Sequence, residues 1–182
     1  MVLDDAQIVT LCFSQYEGQH NMTDVIAALS ALTHTTHKHR EEALDHFYKT
    51  WQHDALVCDK WFALQALSNR QDTLERVNEL ISHPAFEFKN PNRVRSLVDV
   101  FCNHNTVRFH DIGGGGYRFL SENVQKLDSI NPQVAARSVR ALSNWRRFDE
   151  TRQNLMKEEL EKIAGLAKVS KHVYEIAAKS LK

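Results

Sequence analysis

The chain has 182 residues, 42% hydrophobic and 25% charged, with 23 basic and 23 acidic side chains, the composition of a globular chain of ordinary domain size. Six glycines and three prolines are too few for a collagen-like, proline-rich or turn-punctuated all-β chain. Zero net charge argues against a dedicated nucleic-acid binder, which needs a basic surplus to neutralise phosphates.

Met1-Val-Leu-Asp-Asp5 carries acids where a secretory leader needs basic residues. No apolar run approaches the ~18 residues of a membrane-spanning helix. The first predicted helix covers residues 4–16. Asn21, three residues before Asp24, opens the second (22–34) as a weaker relative of the capping box. Its Val25, Ala28, Leu29 and Leu32 fall at i, i+3, i+4, i+7, one apolar stripe on a helix. Residues 38–52 repeat the spacing with Leu44, Phe47, Tyr48 and Trp51. Helices at 55–68 and 72–82 follow. Asn92, after Pro91, precedes the stripe Val94, Leu97, Val98, Phe101 of a helix at 92–103. His104 to Gly116 has no period and ends in four glycines. A helix at 116–129 comes next. Asn131-Pro132 then puts a cap residue before a proline whose missing N–H costs nothing at a first helical position. That helix, 132–146, carries Ala135, Val139, Leu142 and Trp145 on one side. Asp149-Glu150 places acids in the first turn of 149–165, where they meet the positive helix end. Ser170 opens 170–181, with Tyr174, Ala177, Ala178 and Leu181.

No segment alternates with period two for long enough to make a strand, so the fold class is all-α. About ten antiparallel helices occupy residues 1–182 as one helical domain. A helix with its loop takes about 18 residues and a pair a little under 40, the period of HEAT or armadillo superhelices. No sequence repeat marks that period, and a closed bundle is the alternative.

Three cysteines, Cys12, Cys58 and Cys102, are an odd count without CxxC spacing. They read as free, mostly buried thiols of a reducing compartment, the cytoplasm. His34, His37, His39 and His46 lie close in sequence, but they straddle a helix junction, and no H-E-x-x-H motif exists in the chain. They read as solvated junction residues, and no metal site is expected here. Gly113 to Gly116 is followed by Tyr117-Arg118 rather than the Lys-Ser/Thr of a phosphate loop, so it reads as a flexible inter-helix loop. No nucleophile elbow G-x-S-x-G is present. Arg95 and Asp99 fall off the stripe of helix 92–103, and Arg137, Arg140 and Asn144 off that of 132–146, with Arg146, Arg147 and Arg152 beyond. Arginine forks suit carboxylates. These residues either line a concave wall or are solvated surface, with Arg95–Asp99 an ordinary i, i+4 pair.

Asn21-Met-Thr-Asp24, Ala27-Ala-Leu-Ser30, Asp59-Lys-Trp-Phe62, Leu64-Gln-Ala66 and Asn90-Pro-Asn-Arg-Val-Arg-Ser-Leu97 occur in that order. They are followed by Phe109-His110, Gly116-Tyr117, Asn131-Pro-Gln-Val-Ala135, Arg147-Phe-Asp149 and Arg152-Gln153. Together these motifs resemble the C-terminal helical domain of bacterial aminopeptidase N, a zinc-dependent alanyl aminopeptidase of the gluzincin class, over almost the whole chain. The resemblance implies an all-helical superhelix that caps a catalytic domain of the same polypeptide and closes a chamber for peptide substrates. It implies that zinc, its H-E-x-x-H ligands and the G-A-M-E-N motif belong to that upstream domain, so that this chain alone has no peptidase activity. It places Arg95 and Arg137 on the peptide's C-terminal side. A glycine run at 113–116 departs from the more mixed loop of relatives. The rival reading is a free-standing helical-repeat scaffold that binds a protein on its concave face. A detached cap should expose apolar surface, whereas a scaffold should be polar throughout.

Overall fold

The computed structural model describes residues 5–182; position 4, where the first predicted helix begins, lies outside them. Helices α1 (Ala6–Glu17), α2 (Met22–Thr33), α3 (His39–Trp51), α4 (Ala55–Ala66) and α5 (Thr73–Ile81) run in succession. A composite segment follows: α6 (Pro91–Val94), a π-helical turn (Arg95–Asp99), α7 (Val100–His104) and the short α8 (Thr106–Phe109). Then come α9 (Gly115–Asp128), α10 (Pro132–Val139), 3-10 turns at Arg140–Leu142 and Trp145–Arg147, α11 (Glu150–Ala164) and α12 (Lys171–Leu181). There is no strand among the described residues, and no helix among them is long and apolar enough to cross a membrane.

Local chemistry sets the starts. Asn21 accepts the Asp24 N–H at 2.9 Å while its amide donates to the Asp24 carboxylate at 2.7 Å, a reciprocal cap. Asn131, with Pro132 behind it, accepts from Val134, and Ser170 accepts from Val173. Three boundaries differ from expectation. The cap at the sixth helix is Asn90, not Asn92, with Pro91 in the first turn. The predicted helix at 132–146 ends at Val139 and continues as 3-10 turns. The aperiodic stretch holds α8, because Asn105 accepts the Arg108 N–H at 3.1 Å and starts a turn.

Each of the first four helices packs on its next neighbour, and α1 and α2 also reach the next but one; farther on, α9 and α12 each pack against both α10 and α11. The apolar stripes of the sequence become one contiguous core, from Val9 on α1 to Ala177 on α12. Polar stitches between layers reveal the repeat. The Ser68 hydroxyl donates to the Thr33 carbonyl at 2.7 Å, and the Asn105 amide donates to the Ser68 carbonyl at 2.8 Å. Arg70 binds the Thr35 carbonyl, Arg108 the Asn69 carbonyl, and Arg152 the His110 carbonyl. Asp128 accepts the Ser170 N–H at 2.7 Å. These partners lie 35 to 42 residues apart, the length of one helix pair. Corner stacks on corner, as in a solenoid.

Candidate functional site

The two arginines singled out in the sequence sit on adjacent layers. Val94, Leu97, Val98 and Phe101 are fully buried and fix the roll of the segment that carries the π turn. Arg95 therefore faces solvent, its guanidinium 3.5 Å from the Asn92 side-chain oxygen. On α10 and its 3-10 continuation, Ala135, Val139 and Leu142 anchor the opposite side, and Arg137 is exposed.

Asp99 links them. Its carboxylate accepts the hydroxyl of Ser138, the residue after Arg137, at 2.6 Å. This bond ties the π turn to α10 and takes the place of the i, i+4 ion pair with Arg95 suggested by spacing. A π turn carries five residues per hydrogen-bonded ring, which spoils i, i+4 alignment. Burial pushes the Asp99 carboxyl up from the ordinary range. The Ser138 hydrogen bond and the positive charges of Arg137, then Arg95, pull it part of the way back. The site is thus one half-buried carboxylate held by a hydroxyl, with two exposed guanidiniums in its field. The arginines outnumber the acid, so the face can receive an anion through planar two-pronged hydrogen bonds.

Other motif residues are structural. Arg93 and Asp59 form a 2.7 Å ion pair with side chains only 8% and 18% exposed. Ser96 adds a bond to Asp59, and Arg93 lies over the Phe62 ring at 5.1 Å. Spacing arguments missed this pair, although both partners stand inside quoted motifs. Around Tyr117, the His110 ring bonds the phenol oxygen at 2.9 Å and stacks on Phe148, while Arg152 holds both the His110 carbonyl and Asp149.

Of the junction histidines, His34, His37 and His39 are half-buried and His46 is exposed as expected, yet His34, His39 and His46 each make a defined contact. His39 stacks on Phe13 at 3.9 Å, His46 bonds the Tyr16 hydroxyl at 2.7 Å, and the His34 ring accepts the Asn69 N–H at 3.1 Å. Among the described residues no group of three His, Cys, Asp or Glu side chains is placed to hold a metal ion, so the residues present do not fit a zinc site. Cys58 and Cys102 are buried, and burial pushes both thiols up, away from reactive thiolate. Cys12 is half-buried.

Comparison with known proteins adds the context. The family described as "Domain of unknown function (DUF3458_C) ARM repeats" matches residues 1–182. Aminopeptidase N of Haemophilus influenzae is 47% identical over 166 residues, which are 91% of this chain and 19% of that protein. Aminopeptidase N of Caulobacter vibrioides is 42% identical over 97% of the chain and 20% of its own length. The Escherichia coli aminopeptidase N is 40% identical over 94% of the chain and 20% of its length. The crystal structure of Legionella pneumophila aminopeptidase A in complex with aspartic acid superposes with a TM-score of 0.93 at 32% identity, covering 98% of this chain and 21% of that one. The chain spans about one fifth of the length of the curated relatives it matches.

Proposed function

This chain belongs to the ARM-repeat family described as DUF3458_C, and on that premise we propose that it is the helical cap of a zinc aminopeptidase. The observation that carries the reading is coverage. Relatives named aminopeptidase N align over more than nine-tenths of this chain yet over only a fifth of themselves. The chemistry of such a protein then has the remaining four-fifths to occupy. Zinc, which would polarise the scissile carbonyl and activate water, is assigned to that part. Here the helices wall a chamber, and Arg95 and Arg137 bind the carboxylate end of a peptide whose amino end is processed elsewhere.

Two features support the role given to the arginines. Both are exposed in the chain by itself, so docking onto a catalytic part would desolvate them and strengthen their charge-assisted bonds. Asp99, fixed by Ser138, sets an anchored counter-charge beside them. A free-standing scaffold fits less well. Ile8 and Leu11, one turn apart on α1, are 43% and 69% exposed, an apolar spot that a scaffold polar throughout would lack.

The test uses the full-length enzyme. Arg95→Ala and Arg137→Ala should each raise KM for di- and tripeptides, by an amount that corresponds to about 2–5 kcal/mol if the contact is fully desolvated. Cleavage of aminoacyl amides, which lack the carboxylate, should barely change. Equal losses on both substrate types would remove the carboxylate role.

A further inference from the structure

A cleft runs between α10 with its 3-10 continuation and α12. It consists of two adjoining hollows of about 480 Å³ each, which share Arg140 and Ile176. Arg137 and Arg140 line the first, and Arg140, Arg146 and Lys179 the second. The acid that lines it, Glu175, is already met by Lys171 at 3.8 Å. Arg76–Glu79 and Lys157–Glu161 show how other cations of the chain meet an acid one turn away. In the cleft none of the four is in an ion pair among the described residues. Arg146 is pre-set: its guanidinium donates to the Ser180 and Leu181 carbonyls at 2.9 and 3.0 Å and lies 4.2 Å from the Trp145 ring centre. A chain with no net charge therefore gathers four cations on one concave strip, where their mutual repulsion favours an anionic occupant.

We propose that this cleft is a specificity surface for acidic peptides, whose C-terminal glutamate and aspartate side chains lie along Arg140, Arg146 and Lys179. The inference rests on the cap reading, because Arg137 serves both the carboxylate site and the near end of the cleft. Half-buried Ile176 supplies an apolar floor for the methylenes of such side chains. Pre-positioned guanidiniums reduce the ordering cost of binding, and the preference should weaken with salt as exposed charges are screened.

The test is fluorescence anisotropy on the 182-residue chain with N-terminally labelled hexapeptides. One ends in three glutamates with a free carboxylate, one is its C-terminal amide, and one carries three glutamines with a free carboxylate. The glutamate acid should bind about tenfold more tightly than the glutamine acid. Arg140→Glu/Lys179→Glu should erase that ratio, while the charge-keeping Arg140→Lys/Lys179→Arg should preserve it, with circular dichroism confirming both folds. Equal affinity for glutamate and glutamine peptides would overturn the cleft proposal, whatever amidation does. Amidation should change little here, because Arg95 and Arg137 are solvent-exposed in this chain; the carboxylate role of the cap reading is decided by the full-length KM comparison, so its failure and that of the cleft are read separately. Tighter binding of an oligouridylate of equal charge than of the glutamate peptide would also overturn it.

Discussion

Arg93 and Arg95 stand two positions apart on one helical segment, the first buried with its charge on Asp59 and the second in solvent. Removing one partner of a buried pair leaves the other desolvated and unmatched. Arg93→Ala should therefore lower the unfolding free energy by about 3–5 kcal/mol, read from urea denaturation. Arg95→Ala should change it by roughly 0.5 kcal/mol or less. Replacing both partners, as Arg93→Met/Asp59→Leu, should recover much of the loss; a double variant as unstable as the single one would mean the pair is not the cause. Spacing found Arg95 because an arginine off an apolar stripe stands out. It could not find Arg93, which pairs across 34 residues with an acid on another helix, a meeting that exists only once α4 and α6 are packed.

At the scale of elements, the four glycines show what a run of one residue type conceals. Read as a loose loop, Gly113 to Gly116 in fact turn the chain and open α9. Gly114 has φ of 67°, a left-handed conformation that side chains resist. Gly115 and Gly116 are already helical. A methyl on Gly116 would collide with the Phe109 carbonyl, whereas one on Gly113 would meet only the Asp111 side chain at 3.3 Å. Gly116→Ala should thus lower the thermal midpoint sharply, by the equivalent of about 1–3 kcal/mol or more for overpacking against backbone. Gly114→Ala should cost about 1–2 kcal/mol and Gly113→Ala almost nothing. A uniform response to the three substitutions would return the segment to a featureless loop. Composition revealed the glycines but not which of them are jammed. Likewise, periodicity placed the helix at 92–103 but not its π turn, because Val94, Leu97, Val98 and Phe101 remain buried with it.

At the scale of the whole molecule, the repeat was legible in helix length but invisible in residue identity, and the corner bonds show why. The Thr33 carbonyl is met by a serine hydroxyl, the Ser68 carbonyl by an asparagine amide and the Asn69 carbonyl by a guanidinium. What recurs is a buried carbonyl needing a donor one layer on, a need that several residue types meet. The same corners hold histidines that must stay neutral. His34 accepts the Asn69 N–H, His83 accepts that of Ala85, and His110 is hydrogen-bonded to Tyr117. Burial lowers all three below the ordinary value of 6.5. The unfolded chain therefore takes up these protons first as pH falls, and the stability they contribute, full above pH 6.5, is lost as pH drops through 6.5 toward their folded values. Asp99, raised in the folded state, works in the opposite sense, gaining stability as pH falls through its own folded value. The clean readout is therefore a difference between variants. Urea midpoints measured from pH 7.5 to pH 5 should fall for the native chain and fall less steeply for His34→Gln, which keeps an acceptor but cannot take the proton. Parallel slopes for the two chains would show that the His34 corner does not resist protonation, and that the stacked junctions are looser than their hydrogen bonds imply.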